Sequence, residues 1–509
     1  MNAKQKISRV ISVACALAAL FAPTQWYNIN GLTVVEQRVI ALFLFAAIMW
    51  ITEAIPIWAT SVLTIVMMLL GVSDSSFVFL RYPTEDFGVL IKAKTLMATF
   101  ADPIVMLFLG GFFLAMGAEK CGLDKNLAGI LFKPFGTKSA NVLLGLMFVT
   151  AVFSMFMSNT ATTAMMFAVM APILAPMANS GKGRIALSLA IPVAANIGGI
   201  GTPIGTPPNA IALKYLNDPE GLNMGIGFGQ WFAVMAPFVI VLILVAWVLL
   251  LKLFPFKRTN LIVSFDGKFE KSPKAYIVYI TFAVTVLLWV CDKFTGVNPN
   301  TVAMILIAVF CATGVIGKDD LKTINWDVLW LVAGGFALGV GLQDSGLAKH
   351  IIQSIPFDKW PPMMTIVGAG LLCYVMSTFM SNTATTALLV PVLAAVAKGM
   401  GGSLEPFGGV ATILIGVAIS ASLAMALPIS TPPNAMAYSF GFASQKQMAS
   451  VGLIMGALGL AAGYLLLQND SPDTASVRTL YSETIPGLFV EEVLRRVHFS
   501  MQGGHFHES

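Results

Sequence analysis

The sequence predicts an all-α polytopic membrane protein with about eleven transmembrane helices in two inverted repeats, each with a re-entrant helical hairpin and a broken helix. Three observations carry this prediction: an apolar composition, apolar stretches of membrane-spanning length, and polar motifs that occur twice in the same order. Of the 509 residues, 57% are hydrophobic and 11% are charged, and the mean hydropathy is +0.82. This composition excludes a water-soluble enzyme.

Charge, cysteine and histidine content narrow the function classes further. The 30 Lys and Arg against 25 Asp and Glu give a net charge of +5, which is too small and too dispersed for nucleic-acid binding. The five cysteines lie singly in or beside apolar stretches without CxxC spacing, so neither a disulfide framework nor a zinc site is indicated. Three of the four histidines lie in the last twelve residues, which leaves no histidine cluster for metal or nucleophilic chemistry.

Eleven stretches fit the roughly 20 apolar residues that a helix needs to cross a bilayer. They lie at about residues 7–26, 36–55, 57–72, 99–119, 184–215, 229–254, 275–291, 299–316, 327–347, 408–441 and 446–467. A signal peptide over residues 1–26 is the alternative for the first stretch, but the apolar run continues past signal length without an obvious cleavage site. We expect a helix there.

Lys and Arg set the expected orientation. With the N-terminus in the cytoplasm, the inside segments carry about twice as many Lys and Arg as the outside segments. The sequence therefore predicts a multi-pass protein of the cell inner (plasma) membrane, surrounded by lipid, with a cytoplasmic N-terminus.

Four apolar segments contain polar interruptions. The segments at about 140–177 and 362–397 are each interrupted by Ser-Asn-Thr-Ala-Thr-Thr, which predicts a helical hairpin that enters and leaves on one side. The spans at 184–215 and 408–441 are each broken by Thr-Pro-Pro-Asn. Irregular backbone at membrane depth is tolerated only where it lines a cavity or is packed in protein.

These interruptions form an internal repeat. Residues 156–164 (FMSNTATTA) recur unchanged at 379–387, and residues 206–210 (TPPNA) recur at 431–435, at nearly the same spacing. The repeated unit contains five spans and one hairpin, and five is odd, so the second copy must be inverted. Inverted repeats with paired broken helices are typical of secondary transporters. Packing of polar residues between helices is the simpler alternative for one isolated motif, but two ordered copies disfavour it.

The repeat predicts five regions in the chain. They are an N-terminal helix (1–35), a first inverted repeat (36–254, hairpin about 140–177), a cytoplasmic linker (255–274), a second inverted repeat (275–467, hairpin about 362–397) and a C-terminal tail (468–509), which we expect to be disordered.

The motifs offer ligands for both an anion and a cation. A helix that restarts after a break directs free N–H groups and the positive end of its dipole at the break, where an oxyanion is favoured. Carbonyl, hydroxyl and amide oxygens at the same place suit a hard monovalent cation. Ser154 and Ser377 lie four residues before Ser158 and Ser381, so each pair shares a helix face and could supply a second hydroxyl.

Ionisable residues are missing from both interruptions. Neither the SNT nor the TPPN segments contain Asp, Glu, Arg, Lys or His, which disfavours proton coupling and suggests that a cation balances the substrate charge. Five acidic residues near predicted span ends are expected to cap helices or pair at the surface, although Glu53 is less easily dismissed. They are Glu53, Asp102, Glu119, Asp327 and Asp344.

These residues resemble the divalent anion/sodium symporter family. The resemblance rests on residues 51–56 (ITEAIP), the two SNTATTA segments and the two TPPNA breaks, and it covers about residues 30–467. It implies a homodimer in which a moving transport domain carries substrate past a fixed scaffold, an elevator-type mechanism. The scaffold would be the spans that flank each hairpin and broken helix.

The resemblance also implies roles for individual residues. The substrate carboxylates would be bound by Ser158, Asn159, Thr160, Thr206, Pro207, Ser381, Asn382, Thr383, Thr431 and Pro432. The first co-transported sodium ion would be held by Ser154, Ser158, Asn159 and the Gly205 carbonyl, and the second by Ser377, Ser381, Asn382 and the Ser430 carbonyl. No organic cofactor is implied.

Sodium-coupled import of a C4-dicarboxylate such as succinate is the leading hypothesis. A sodium-independent dicarboxylate antiporter on the same fold is the alternative, and tricarboxylate or sulfate symport stays open because hydroxyl and amide groups distinguish oxyanions poorly. A membrane-embedded enzyme would need a nucleophile with a base or a metal set in the spans, and the sequence shows none. An anion channel would need a continuous polar pore lining, which paired hairpins argue against.

Overall fold

The protein is a bundle of α-helices in the computed structural model, which describes residues 3–81, 86–174, 177, 182–219, 221–257, 260–261, 263, 269–354 and 359–468. Within these residues the only β-type pairings are two isolated bridges, between Ser73 and Ile91 and between Lys138 and Asn260. The all-α prediction is confirmed.

Twenty-one α-helices follow one another along the described chain. The first eleven are α1 (Ala3–Phe21), α2 (Val34–Thr52), α3 (Ile57–Gly71), α4 (Ala93–Ala98), α5 (Pro103–Lys120), α6 (Leu123–Phe132), α7 (Ser139–Phe156), α8 (Asn159–Leu174), α9 (Gly183–Gly198), α10 (Pro207–Leu216) and α11 (Phe228–Leu253). The others are α12 (Pro273–Val290), α13 (Asp292–Thr295), α14 (Pro299–Ala312), α15 (Trp326–Asp344), α16 (Leu347–Ser354), α17 (Pro362–Phe379), α18 (Asn382–Met400), α19 (Ala411–Leu423), α20 (Pro432–Ser439) and α21 (Gln445–Gln468).

The helices have the length and composition of a multi-pass membrane protein. In the described part of the chain, ten helical segments are long and apolar enough to cross a membrane, and α3, α14 and α19 are shorter apolar helices. Only 22% of the α12 window is buried in the protein, whereas 89% of the window at Gly183–Gly201 is buried. Since apolar residues left exposed by the protein suit lipid, α12 lies at the perimeter and α9 at the centre.

The N-terminal helix packs against the helix that follows it. Arg9 Nε on α1 donates to the carbonyl of Ala54 (3.0 Å), and Gln37 Nε2 on α2 donates to the carbonyl of Ala19 (3.0 Å). The early part of α1 thus lies beside the end of α2, and its late part lies beside the start of α2. The two helices are antiparallel neighbours, as a short connection favours.

Each Ser-Asn-Thr motif lies at a break between two consecutive helices. Met157 and Ser158 separate α7 from α8, and Met380 and Ser381 separate α17 from α18. Met157 (φ −126°, ψ 160°) and Met380 (φ −140°, ψ 172°) are extended, which ends one helix before the next begins. The interruptions fall where the sequence predicts them, and the re-entrant placement of each pair stays a prediction.

Both Thr-Pro-Pro-Asn motifs start a new helix after an irregular segment. A 3-10 turn at Gly199–Gly201 and the residues after it separate α9 from α10, and residues 424–431 separate α19 from α20. Thr206 and Thr431 are the N-cap residues, with extended backbones (φ −150°, ψ 143° and φ −143°, ψ 149°). Proline follows each at the first helical position, where its fixed φ fits and its missing N–H costs nothing.

The two halves of the chain interlock around these interruptions. Helix α10, from the first broken pair, packs on α18 and α19, and α20, from the second, packs on α8 and α9. Each restarted helix therefore contacts the helix that follows the Ser-Asn-Thr interruption in the other half of the chain. This exchange brings the two sets of motifs together.

The predicted region boundaries stay predictions. The predicted tail at 468–509 lies outside the described residues apart from Gln468, which ends α21. The predicted linker at 255–274 is described only in part.

Candidate functional site

One cavity joins the four polar motifs. It has a volume of about 610 Å³, and every residue predicted to contact substrate lines it, from both SNT segments and from both Thr-Pro pairs. Gly205 and Ser430, predicted as carbonyl ligands of sodium, line it as well. We call it the central cavity. The sequence motifs, far apart in the chain, therefore share one site.

Four helices begin at the central cavity. Helices α8 and α18 start at Asn159 and Asn382, and α10 and α20 start at Pro207 and Pro432. The positive ends of four helix dipoles thus point at one volume, which favours an anion there. Ser158 Oγ accepts a hydrogen bond from the Ala161 N–H (3.2 Å), so this side chain also caps α8.

Oxygen atoms surround the amide of Asn159 beside the cavity. Asn159 Oδ1 lies 2.6 Å from Ser154 Oγ and 3.2 Å from the carbonyl oxygens of Ala195 and Gly205. Ser154 is fully buried and its hydroxyl also lies 2.7 Å from the Ala195 carbonyl. We call these four residues the first oxygen cluster.

The first oxygen cluster has too few protons for its oxygen atoms. One hydroxyl proton cannot satisfy three other oxygens, so the amide of Asn159 either turns its nitrogen to them or leaves its oxygen for a cation. When the amide is turned, its nitrogen lies at the same distances from the oxygens of Gly205, Ala195 and Ser154, and its two protons can be donated to two of them. Both states are compatible with a site that is alternately empty and filled by a hard monovalent cation.

Glycine is required at Gly205 in the first oxygen cluster and at the neighbouring Gly199. A Cβ on Gly205 would lie 2.5 Å from the Gly199 carbonyl oxygen and 2.9 Å from that of Ser154. A Cβ on Gly199 would lie 2.6 Å from Asn159 Oδ1. Each distance is too short for a carbon atom, so a side chain at either position would displace the oxygens. Of these residues, Gly199 and Ala195 were not among those predicted.

A second oxygen cluster has a related arrangement in the other half of the chain. Ser377 Oγ donates to Asn382 Oδ1 (2.8 Å) and lies 3.4 Å from the Ala421 carbonyl. Ser430, which corresponds to Gly205, has a side chain that donates to the Thr378 carbonyl (2.7 Å) and accepts from the Leu427 N–H (3.1 Å). The Ser430 hydroxyl therefore orders its own loop, and its carbonyl stays a predicted ligand.

The central cavity contains carboxylates and lacks basic groups. Among the described residues that line it, none is Lys, Arg or His, whereas Glu53 and Asp327 are present. Glu53 ends α2 in a left-handed conformation (φ 47°), and Asp327 lies in the first turn of α15. The sequence sets Glu53 apart from the other acidic residues and predicts that Asp327 caps a helix or pairs at the surface; both residues line the cavity. A bound dianion would need added positive charge here.

An ion pair lies at the far end of α10, whose first residue lines the cavity. Asp102 caps α5 by accepting from the Ile104 N–H (2.9 Å), as expected, and forms a partly buried salt bridge with Lys214 at the end of α10. Lys214 Nζ also lies 3.8 Å from the ring centroid of Phe336 on α15. This contact joins α5, α10 and α15.

Other lining residues carry no repeated motif. Asn196, which is 1% exposed, lies in the last turn of the apolar helix α9. Phe108, Phe112 and Trp58 form part of the apolar wall of the cavity. An asparagine in the last turn of a buried span is a polar group that needs partners, and this was the available signal. The sequence contains no signal that would assign the three aromatic residues to the cavity, because apolar residues are expected in any span.

Apolar helices of membrane-spanning length around a cavity at which four helices begin are typical of a polytopic membrane transporter. The family follows from comparison with known proteins. A family profile described as citrate transporter (CitMHS) matches residues 47–413. Together with the dicarboxylate transporters that match most of the chain, this shows that the chain belongs to the divalent anion/sodium symporter family.

Individual relatives agree with this assignment. The sodium-dependent dicarboxylate transporter SdcS of Staphylococcus aureus (strain USA300) is 32% identical over 452 residues, covering 81% of this chain and 82% of that protein. A protein of Haemophilus influenzae known as an uncharacterized transporter is 31% identical over 439 residues, covering 82% and 88%. The chain is therefore a secondary transporter of the dicarboxylate family.

A solved structure shares the fold at low sequence identity. MtrF of Neisseria gonorrhoeae, described in connection with a class of antimetabolite efflux pumps, has a TM-score of 0.50 and 14% identity, covering 81% of this chain and 94% of that chain. The likeness concerns the fold alone.

Proposed function

We propose that this protein imports C4-dicarboxylates such as succinate together with sodium ions. The observation that carries the proposal is the central cavity, where both SNT segments and both Thr-Pro pairs meet. Four helix N-termini favour the two carboxylates, and the hydroxyl and amide groups of the motifs can donate hydrogen bonds to them. The relative named as a sodium-dependent dicarboxylate transporter supports this substrate class.

Charge supports coupling to a cation. The cavity has Glu53 and Asp327 on its lining and no basic residue among the described residues there, so a dianion would enter a site of its own sign. Sodium ions in the two oxygen clusters would supply the missing positive charge beside the substrate. Binding of each partner would then favour binding of the other, which is the basis of symport.

The transport cycle that we propose is elevator-type alternating access in a homodimer of the inner membrane, with a cytoplasmic N-terminus and two inverted repeats. Helices α7 to α10 and α17 to α20 would form the moving unit, because each restarted helix packs on the hairpin of the other half. The remaining spans would form the scaffold.

Uptake into proteoliposomes tests the coupling. Labelled succinate should accumulate under an inward sodium gradient and not when potassium or choline replaces sodium. Ser154→Ala, which removes one oxygen of the first cluster, should raise the sodium concentration needed for half-maximal uptake. Ser188→Ala is the matched control, since Ser188 is an equally buried serine on α9 whose hydroxyl has no partner in the described structure.

Two further outcomes would redirect the proposal. Equal uptake in potassium or choline, with a requirement for internal dicarboxylate, would indicate a sodium-independent antiporter. A tricarboxylate substrate is the second candidate, because the matching family profile is described as citrate transporter and the cavity of about 610 Å³ has room for a third carboxylate. Competition by citrate and by sulfate distinguishes these substrates.

A further inference from the structure

Asn196 links the two halves of the chain at the central cavity. It lies near the end of α9, is 1% exposed and lines the cavity. Its Nδ2 lies 3.2 Å from Thr431 Oγ1 and 3.3 Å from Asn434 Oδ1, both at the start of α20. None of the roles predicted from the sequence involves Asn196.

The orientation of the Asn196 amide follows from its neighbour. Asn434 Nδ2 donates to the carbonyls of Met425 (2.6 Å) and Leu427 (3.0 Å), which uses both of its protons. Its other amide atom, facing Asn196, must be the oxygen. Asn196 therefore presents its nitrogen, and its two protons match two acceptors, Thr431 Oγ1 and Asn434 Oδ1.

These bonds restrict the Thr431 hydroxyl to donation. Thr431 Oγ1 accepts from the Asn434 N–H (3.3 Å) and from Asn196 Nδ2 (3.2 Å). A hydroxyl oxygen has two lone pairs, so both are occupied and only its proton stays available. No acceptor for that proton is present among the described residues, and Thr431 lines the cavity. A carboxylate oxygen in the cavity would accept it.

The other half of the chain lacks this arrangement. Thr206, which corresponds to Thr431, makes no side-chain capping bond. The carbonyls of Ala195 and Ala421 each lie beside the buried serine of their own half. Asn196 therefore corresponds to Ser422, whose hydroxyl donates to the Ala418 carbonyl of its own helix (3.0 Å). The Thr206 hydroxyl is therefore free to rotate, while the Thr431 hydroxyl is fixed.

We propose that Asn196 is a positioning residue that fixes the Thr431 hydroxyl as a donor to one substrate carboxylate, so that the two carboxylates of a bound dicarboxylate are held unequally. This inference rests on the proposed dicarboxylate function. Asn196 acts through Thr431 and does not itself contact the substrate. Its effect falls on substrate affinity and not on the sodium clusters.

Binding of labelled succinate to the purified full-length protein in saturating sodium tests the proposal. Asn196→Ala should weaken binding about tenfold, equivalent to about 1.4 kcal/mol, while Ser422→Ala, at the corresponding position, leaves binding unchanged. In a Thr431→Val background, Asn196→Ala should have no further effect, because the hydroxyl that it positions is gone. In the absence of any dicarboxylate, sodium should raise the melting temperature of Asn196→Ala and of the wild type by the same amount.

Each outcome separates this inference from the proposed function. If the wild type binds succinate and Asn196→Ala binds it with the same affinity, this inference alone is overturned. The same holds if Asn196→Ala causes a further tenfold loss of affinity in the Thr431→Val background. Absence of sodium-dependent binding of any di- or tricarboxylate by the wild type overturns the proposed function and this inference with it. If Asn196→Ala does not fold, Thr431→Val should weaken binding about tenfold and Thr206→Val about threefold or less. Equal losses overturn the inference.

Discussion

Substitution of Gly205 by alanine tests whether the first oxygen cluster binds sodium. The new Cβ would lie 2.5 Å from the Gly199 carbonyl oxygen and 2.9 Å from the Ser154 carbonyl oxygen. Both neighbours are backbone atoms in the buried centre of the protein, so they cannot move aside as a flexible side chain would. The loop must shift, and the Gly205 carbonyl shifts with it.

The expected magnitude follows from overpacking. Inserting one methyl group into a tightly packed site costs about 1–3 kcal/mol, and every 1.4 kcal/mol is about a tenfold change in an equilibrium constant. If this cost falls on the sodium-bound state, the sodium concentration for half-maximal succinate uptake rises about 5- to 150-fold. The second half of the chain has Ser430 at this position, so its oxygen cluster tolerates a side chain that the first does not.

Two assays measure the effect. The sodium dependence of succinate uptake in proteoliposomes gives the half-saturating concentration, and thermal stabilisation of the purified protein by sodium without acid reports the ion alone. Gly111→Ala is the control, because its Cβ would meet only Ile204, at 3.6 Å or more. An unchanged sodium response in a folded Gly205→Ala protein would refute the assignment of the cluster.

Substitutions at three other places give separate predictions. Asp102→Asn or Lys214→Met should each lower the stability of the purified protein by about 1–3 kcal/mol, since each leaves one partly buried group without its partner; the melting temperature checks this, and no decrease would contradict it. Asp327→Asn should lower the KM for succinate about two- to fivefold at low salt, because it removes a charge of the same sign from the cavity lining, and the change should shrink at high salt. The Lys120 ammonium holds the pKa of Asp320 below its usual value. This exposed pair should therefore stabilise the protein at pH values above the usual pKa of an aspartate, and the stabilisation should be lost as pH falls through the lowered pKa. The melting temperatures of wild type and Asp320→Asn should differ at neutral pH and converge in acid, and a difference that does not change with pH would contradict this prediction.

The sequence predicts the helix interruptions and their meeting in one cavity, because both depend on local signals. The polar SNT segment and the Pro-Pro pair disrupt an apolar helix whatever surrounds them, and their repetition places equivalent parts at equivalent depth. The short helices α6 and α16 escaped prediction because a search for spans of about 20 residues passes over helices of ten residues or fewer.

Contacts between distant segments were not predictable in the same way. Asn196 gains its significance from Thr431 and Asn434, which lie more than 200 residues away in the chain. Its equivalent, Ser422, is a different residue, so a comparison of identical repeats passes over both. Asp102 and Asp327 are 225 residues apart, as the two TPPNA segments are, but only the structure shows that Asp327 lines the cavity while Asp102 pairs with Lys214.

The paired prolines at the starts of α10 and α20 make the vacant cavity less unstable. Proline has no N–H, so the first two positions of these helices present no donor that loses a partner when the cargo departs. Helices α8 and α18 begin with Asn and Thr and keep their N–H donors. Few water molecules are then needed to satisfy the vacated walls. A transporter must return through its substrate-free state in every cycle, and a smaller number of unpaired donors in the empty cavity lowers the free energy of that state.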